Sequence, residues 1–337
     1  MSGELTECSG FILFNDPHLS SRRPGTRKDR AYGDVIIGKL AQIIDIANRG
    51  RLVPLCTGDW FQRAKEEDER IKTQLLRVLN GCWTRQGISC VGNHDCRNLK
   101  LADGDTLAVI AESGAMRIAR QNGPAGEFLV RGTERDWRVG VGCTPSGQEI
   151  PREVGSLFPL ADGIIWLTHH DIAFDGAYPG AVEPFEISGC SLVWNGHMHL
   201  EKQPVTLGRT MWCNAGSITR TAIDAIDHQP AAWEFSPETG LVRHLIECGS
   251  DVFDLTGSLV GAISPGEPDG GGGSDSVFVD LLRQDTEADP AATDEGTVLL
   301  QHIRSRFDRE NTPEQVRAAV LRLFNDEVDA AGALAAS

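Results

Sequence analysis

Five short fragments of the chain place metal-type ligands directly after an apolar run. They are Asp16-Pro17-His18, Gly58-Asp59-Trp60, Gly92-Asn93-His94-Asp95, Thr168-His169-His170-Asp171 and Gly196-His197-Met198-His199. Six of the nine histidines fall within them. Taken singly each fragment is ordinary: a lone histidine is usually a satisfied core or surface residue, and Asp after Gly is usually a turn. Fivefold repetition makes the signal. Carboxylate, imidazole and amide oxygen together, with no thiolate, suit manganese, iron or zinc in a site that keeps positions open to water. The chemistry such a site serves is phosphoester hydrolysis. A phosphate ester is anionic and repels a nucleophile, and two cations about 3.5–4 Å apart remove that barrier by clamping the phosphoryl oxygens and holding a hydroxide in line. Cations that close need a carboxylate between them, and Asp59 is the unpartnered carboxylate of the set. Asp16 and His18 leave one strand end toward one ion, and Asn93 offers the other a neutral oxygen.

The elements that must position these residues read as an alternating α/β pattern. Phe11–Phe14, Leu52–Cys56 and the β-branched run ending at Val91 are strands, and each ends at one of the fragments. Between them, Val35, Ile36, Leu40, Ile43, Ile44 and Ala47 repeat at helical spacing within residues 34–48, with Gly50 as a stop, and residues 66–79 form a charged helix. Strand, helix, strand, helix, strand is the signature of a parallel sheet, whose C-terminal edge gathers ligands. Residues 105–121 read as a helix followed by a weak strand, and residues 128–141 as a hairpin around Gly132 to Arg135. Ile164–Thr168 and Leu192–Asn195 are further buried strands, which deliver the His169 and His197 fragments. Residues 210–214, 231–235 and 241–246 are expected to be antiparallel strands closing a second sheet.

A length of 337 residues allows one large domain with an appendage. No apolar run is long enough to span a bilayer, and Met1 to Gly10 lack the regions of a signal peptide, so no membrane association is expected. The nine cysteines form no CxxC pair, which argues against a disulfide framework or a structural zinc site and for a reducing, cytoplasmic setting. The net charge of -16 is a poor prior for a nucleic-acid binder, but it is unevenly spread. Residues 251–337 hold 17 Asp and Glu against 6 Arg, a balance of −11 that leaves −5 for residues 1–250. Gly270 to Gly273 mark residues 251–275 as a glycine-rich linker. Residues 276–337 then form a helical tail, with amphipathic helices at 276–284, 297–309 and 313–327. Ser20 to Arg30 carries Arg22, Arg23, Arg27, Lys28 and Arg30 one step past Asp16 and His18. That loop is either solvated or in contact with a polyanion's phosphates.

The ordered blocks DPH, GDW, GNHD, THHD and GHMH resemble those of the calcineurin-like metallophosphoesterase superfamily. The resemblance implies an α/β fold, a four-layer α/β/β/α sandwich with the C-terminal helices as an extension to a phosphoesterase domain over residues 1–250. It implies two divalent ions, manganese first, with iron or zinc as alternatives. Asp16, His18, Asp59 and His199 would hold the first ion, and Asp59, Asn93, His169 and His197 the second. His94 matches the family's general acid or phosphate-contacting histidine, with Asp95 orienting it. His169 is preferred over His170 as the ligand because it directly ends the strand, which leaves His170 to contact substrate or pack.

Asp16 to Asn48, and Asn214-Ala215-Gly216-Ser217-Ile218-Thr219-Arg220, resemble segments of SbcD-type DNA repair exonucleases and their phage relatives. That likeness implies a DNA nuclease that docks an SMC-like, SbcC-type ATPase through its C-terminal helices, with Arg22, Arg23, Arg27, Gln62 and Arg220 among the substrate contacts. Gln62 itself departs from the pattern: such nucleases often have His or Asp there, and a histidine at that place is tied to exonuclease action. The alternatives are a phosphodiesterase or phosphatase acting on a small nucleotide or a phosphoprotein, and a non-catalytic scaffold. For the tail, the alternatives are capping of the core or homodimer formation.

Overall fold

Buried residues alternate sides along the second strand of the computed structural model, and that alternation sets its layers. The described residues are 5–253, apart from 25–26, 99, 176–179, 223–224 and 250–251, together with Arg317 and Leu321. Strand β2 (Gly10–Phe14) turns Ile12 and Phe14 to one side and Phe11 and Leu13 to the other. The first pair packs against helices α1 (Tyr32–Gly50), α2 (Glu69–Asn80) and α3 (Thr106–Glu112), through Ile36, Leu40, Ile43, Leu75 and Ile110 among others. The second pair meets another sheet, with the Phe11 and Phe128 rings 5.4 Å apart and edge-on. Burial on both faces explains why these strands read as unbroken apolar runs rather than as alternating ones.

The helix-covered sheet runs β13-β12-β2-β3-β4-β5. Its central members β2, β3 (Leu52–Cys56), β4 (Ile88–Ser89) and β5 (Arg117–Ile118) are parallel, as the alternating pattern requires. The other sheet runs β1-β6-β7-β8-β9-β11-β10, from β1 (Thr6–Cys8) to β10 (Lys202–Leu207). Within it β6 (Gly123–Val130) and β7 (Trp137–Thr144) form the expected hairpin, while β7, β8 (Gly163–Thr168), β9 (Leu192–Asn195) and β11 (Thr210–Asn214) are parallel.

Three details differ from the sequence expectation. Strand β11 lies parallel to β9, not antiparallel in a closing sheet, and β12 (Ala231–Ser236) with β13 (Gly240–Leu245) extends the sheet of β2. Period-two patterning marks a strand but does not say which neighbour it joins. Helix α2 starts three residues later than its charged run, because Asp68 caps it by accepting from the backbone N–H of Arg70 at 2.7 Å. Glu66 is used elsewhere, bound to the backbone N–H and hydroxyl of Ser21.

The fourth layer also differs in form. The outer face of the seven-stranded sheet (Ile164, Trp166, Val193, Trp212) is covered by Ile150, Val154, Phe158, Ile172 and Ile187. These belong to the β7–β8 and β8–β9 connections, whose only helix, among the described residues, is a 3-10 turn at Gly155–Leu157. Pro145, Pro151 and Pro159 fall in the first of these connections and Pro184 in the second, and proline removes the donors a longer helix needs.

No helix among the described residues is long and apolar enough to cross a membrane. The chain divides into two units, Met1–Ser264 and Pro265–Ser337. In the second, Arg317 and Leu321 are helical; of the expected linker over 251–275 only Val252 and Phe253 are described, both buried, and the expected helices at 276–284 and 297–309 lie outside the described residues, as does most of 313–327.

Candidate metal centre

The five fragments meet at one edge of the sandwich. Asp16 and His18 follow β2, Asp59 follows β3, and Asn93 and His94 follow β4; these come from the helix-covered sheet. His169 follows β8, and His197 and His199 follow β9, in the facing sheet. In each case the residues leave the C-terminal end of a strand in a parallel run, where α/β sheets gather their ligands. Among the described residues five that are not glycine have positive φ, and four of them are Asp16, His18, Asp59 and His197, at 49°, 47°, 50° and 72°. Left-handed backbone disfavours a side chain and persists only where the surroundings enforce it. Its concentration on four of the expected ligands means the turns are bent to aim these groups.

Two clusters of donor atoms result. In the first, His18 Nε2 lies 2.9 Å from His199 Nε2 and 3.7 Å from Asp59 Oδ2. At such a separation either one imidazole donates to the other or both lone pairs turn to a common cation. In the second, Asn93 Oδ1 lies 2.9 Å from His169 Nε2 and 3.0 Å from His197 Nδ1, and Asp59 Oδ2 lies 3.2 Å from the same His169 nitrogen. Asp59 Oδ2 thus stands between the clusters, fully buried and with no hydrogen-bond donor; Asp16 Oδ2 is buried and lacks a donor as well. A buried carboxylate oxygen without a donor is costly unless something cationic answers it. The donor set and these two oxygens fit a pair of divalent ions, with Asp59 as their shared ligand.

Backbone geometry reserves the space. A Cβ on Gly92 would sit 2.6 Å from Asp59 Cγ, and one on Gly196 would sit 2.7 Å from Asp16 Oδ1. Only glycine lets these two turns approach the carboxylates so closely.

The electrostatics follow from packing. Burial opposes the charge on Asp59, but His169, His94 and His18 around it hold its carboxyl well below the usual range. Burial pushes Asp16 up, and the neighbouring charge of Asp59 adds to the shift. On His169, burial favours the neutral ring, yet Asp59 and Asp16 outweigh it and raise the imidazolium to about 9. Its Nδ1 lies 3.0 Å from the Thr57 carbonyl, which can only accept, so that nitrogen carries a proton and Nε2 is the ligand atom of the neutral ring. Loading a cation onto Nε2 near neutral pH therefore expels the second proton. We expect ion binding at pH 7.5 to release about one proton and apparent affinity to rise about tenfold per pH unit until pH approaches about 9. Calorimetric titration in buffers of different ionisation enthalpy measures this, and an affinity that stays flat with no proton release would contradict it.

The remaining expected site residues fall into three groups. His94 offers a ring nitrogen near Asp59 and His18, and its Nδ1 donates to the Gln62 carbonyl at 2.8 Å. It is this backbone oxygen that orients His94, and the Gln62 side-chain oxygen is buried without a partner. Asp95, expected to orient His94, instead accepts from the backbone N–H groups of Asp59 (2.8 Å), Trp60 (2.9 Å) and Gly92 (3.0 Å). Burial and the charge of Asp59 raise the Asp95 carboxyl to about 7. Its role is to clamp the two turns that carry Asp59 and Asn93. His170 points away from the ion clusters, donating through Nε2 to Gln148 O at 2.7 Å, and burial lowers its pKa to about 4. Of the adjacent pair, it is His169 that the fold brings to Asn93, Asp59 and His197.

Two expected substrate contacts are corrected. Arg27 is 1% exposed and spends its guanidinium on Asp29, at 2.5 Å, and on the Arg220 carbonyl, while lying over the Tyr32 and Phe253 rings. Arg220 is 5% exposed and donates to the carbonyls of Ile226 and Gly249. A basic run in sequence does not say which arginines the fold consumes. Arg22 and Arg23 remain exposed. Arg22 lines a cleft of about 410 Å³ together with Arg63, Lys65, Glu66, Glu67 and Asp68, and its guanidinium lies 3.4 Å from the Glu67 carboxylate.

The sequence reading also passed over supporting residues. Asp171 lies 3.4 Å from His197 Nε2, opposite the nitrogen that faces Asn93, which is the arrangement that fixes a ligand histidine. Its presence in the THHD block was the available signal. Asn15 joins the sheets by donating to Asn195 O and accepting from Trp194 Nε1, each at 2.7 Å.

No protein-family profile matches the sequence, and no curated protein matches it. Solved structures do show likenesses. A hypothetical protein from Thermus thermophilus is 14% identical with a TM-score of 0.39, covering 70% of this chain and 99% of its own. A 5'-nucleotidase precursor from the same organism is 13% identical with a TM-score of 0.41, covering 70% of this chain and 54% of its own. The NAD nucleotidase of Haemophilus influenzae is 11% identical with a TM-score of 0.41, covering 89% of this chain and 60% of its own. The chain therefore spans little more than half the length of these two nucleotidases.

Proposed function

We propose that the chain is a binuclear metallophosphoesterase, acting as a manganese-dependent DNA nuclease subunit of SbcD type in repair or recombination. The observation that carries the phosphoesterase reading is the place of Asp59 Oδ2, 3.7 Å from His18 Nε2 and 3.2 Å from His169 Nε2, buried and without a hydrogen-bond donor. Two divalent cations bound there supply a nucleophile at neutral pH and neutralise the phosphoryl oxygens. The protein's own part is positioning and proton transfer. His94, its Nδ1–H held by the Gln62 carbonyl, gives its other proton to the departing ester oxygen or hydrogen-bonds the phosphoryl group. Arg22 and Arg23, exposed just past His18, reach the phosphates flanking the scissile one. The nuclease and its SMC-like ATPase partner rest on the resemblance of the blocks, and residues 276–337 are the docking segment of this proposal.

A second reading, a small-molecule phosphodiesterase, is favoured by one feature. The cleft that Arg22, Arg63 and Lys65 line is also lined by Glu66, Glu67 and Asp68, with Arg22 paired to Glu67 at 3.4 Å, and those carboxylates repel a long polyanion. Assays with manganese on single- and double-stranded DNA, with and without the ATPase, against a chromogenic diester and mononucleotides separate the two. Brisk diester turnover with no DNA cleavage in any combination overturns the nuclease. For His94→Ala we expect both ions to bind while turnover falls about 10²–10⁴-fold. Metal counting beside single-turnover rates checks this, and retained turnover removes His94 from the mechanism.

A further inference from the structure

The Asn214-Ala215-Gly216-Ser217-Ile218-Thr219-Arg220 block has no part in the chemistry above, yet its hydroxyls lie against the backbone turn that carries two of the expected ligands, Asp16 and His18. Ser217 Oγ is 2.7 Å from the carbonyl oxygen of Asp16, and Thr219 Oγ1 donates to that of Pro17 at 2.7 Å. The Ile218 backbone N–H donates to Asn15 O at 3.0 Å. Three successive residues of the block thus hold Asn15, Asp16 and Pro17 in register. The turn they hold is a strained one, since Asp16 and His18 both have left-handed φ. The same block reaches the facing sheet, where the Ser217 backbone N–H donates to His199 O at 2.9 Å. Ser217 and Thr219 are fully buried, as are Asp16 and His18.

The block is itself anchored. Lys39 of α1 donates to Ile218 O at 2.7 Å, and His228 Nε2 donates to Ser217 O at 2.8 Å. Thr219 N–H donates back to Ser217 Oγ at 2.9 Å, and the one proton of that hydroxyl is shared between the carbonyls of Asp16 and Thr219, each 2.7 Å away. Asp16 and His18 come from one sheet and His199 from the other, so a tie between the two sheets is what sets the 2.9 Å approach of His18 and His199.

We propose that Ser217 and Thr219 are positioning residues for the first ion, holding Asp16, His18 and His199 in one ligand geometry without touching ion or substrate. This rests on the binuclear reading above. Losing a partner that orients a ligand lowers metal affinity about 10–100-fold, and among the described residues the hydrogen bonds of Ser217 and Thr219 do not reach Asn93, His169 or His197, which would hold the second ion. The test is a Mn²⁺ titration followed by electron paramagnetic resonance, with the metal-free melting temperature measured on each protein. The His18→Ala protein identifies which binding step is the first ion's.

We expect wild type to bind two ions. Ser217→Ala and Thr219→Val should each weaken the first step about tenfold or more and leave the second within about twofold. Thr219→Ser, which keeps the hydroxyl, should bind as wild type does. If Ser217→Ala fails to fold, the Thr219→Val and Thr219→Ser pair decides alone. The clamp is overturned if Thr219→Val binds both ions as wild type does, or weakens both steps alike with a matching loss of melting temperature. Wild type that binds fewer than two ions rejects the binuclear reading and the clamp with it, whereas two ions in wild type and in Thr219→Val reject only the clamp.

Discussion

Asp59→Ala is expected to bind neither ion tightly and to lose at least about 10³-fold in turnover, while its metal-free form still folds. Removing this carboxylate takes away the group that both donor clusters share, 3.7 Å from His18 Nε2 and 3.2 Å from His169 Nε2. A loss of 10³ corresponds to about 4 kcal/mol of barrier, within what charge neutralisation at a phosphoryl group supplies. The fold tolerates the change because the histidines around Asp59 can go neutral. His169 owes its raised pKa first to Asp59 and returns to an uncharged ring without it. What the metal-free fold loses is one acceptor, since the His94 backbone N–H donates to Asp59 Oδ1 at 2.9 Å. That costs about 1–3 kcal/mol. Metal counting by equilibrium dialysis, with circular dichroism as the control for folding, checks both halves. A folded Asp59→Ala protein that retains two ions would remove the carboxylate from the bridging position.

Gly92→Ala should be nearly as damaging, although it changes no functional group. The added methyl would overlap the Asp59 carboxylate, lying 2.6 Å from its Cγ, and would press on the Asp59 backbone nitrogen at 2.5 Å. Neither neighbour can yield. Asp95 pins that nitrogen and the Gly92 N–H together through Oδ2, and the Asp59 backbone is already left-handed. Overpacking of this kind costs about 1–3 kcal/mol of stability. The larger effect is on chemistry, because a displacement near 1 Å in a catalytic constellation costs about 10²-fold or more. We expect metal affinity and turnover both to fall at least about 10²-fold, read by the same dialysis and rate measurements. A Gly92→Ala protein with wild-type affinity would mean that the turn has slack.

The residues of the two donor clusters were legible because each is a chemical type placed at the end of an apolar run. Parallel strands buried on both faces, and the hairpin at β6 and β7, were legible for the same reason: burial writes itself into residue type. What was hidden is held by backbone atoms. The Gln62 carbonyl orients His94 and the Thr57 carbonyl sets the tautomer of His169, and no side-chain pattern announces a carbonyl. Charge runs misled for a related reason. Arg27 and Arg220 look like Arg22 and Arg23 in sequence, but the fold spends the first two on Asp29 and on backbone carbonyls. Sheet membership was also out of reach, since β11 and the β12–β13 pair have similar patterns and join different sheets.

The division of the ligands between the sheets has a mechanical consequence. Asp16, His18, Asp59 and Asn93 follow strands of one sheet, and His169, His197 and His199 follow strands of the other, so an ion held by either donor cluster would be a rivet through both halves of the sandwich. A rivet resists shear. Loading should slow exchange of the amide protons in β2, β3, β8 and β9 together, because sliding either sheet past the other would stretch bonds to both ions. At a free-ion concentration about a thousand times the dissociation constant, the added stability is about 4 kcal/mol. Stripping the ions with a chelator would therefore loosen the joint between the layers before it melts either one, and the seam between the sheets is where partial unfolding would begin.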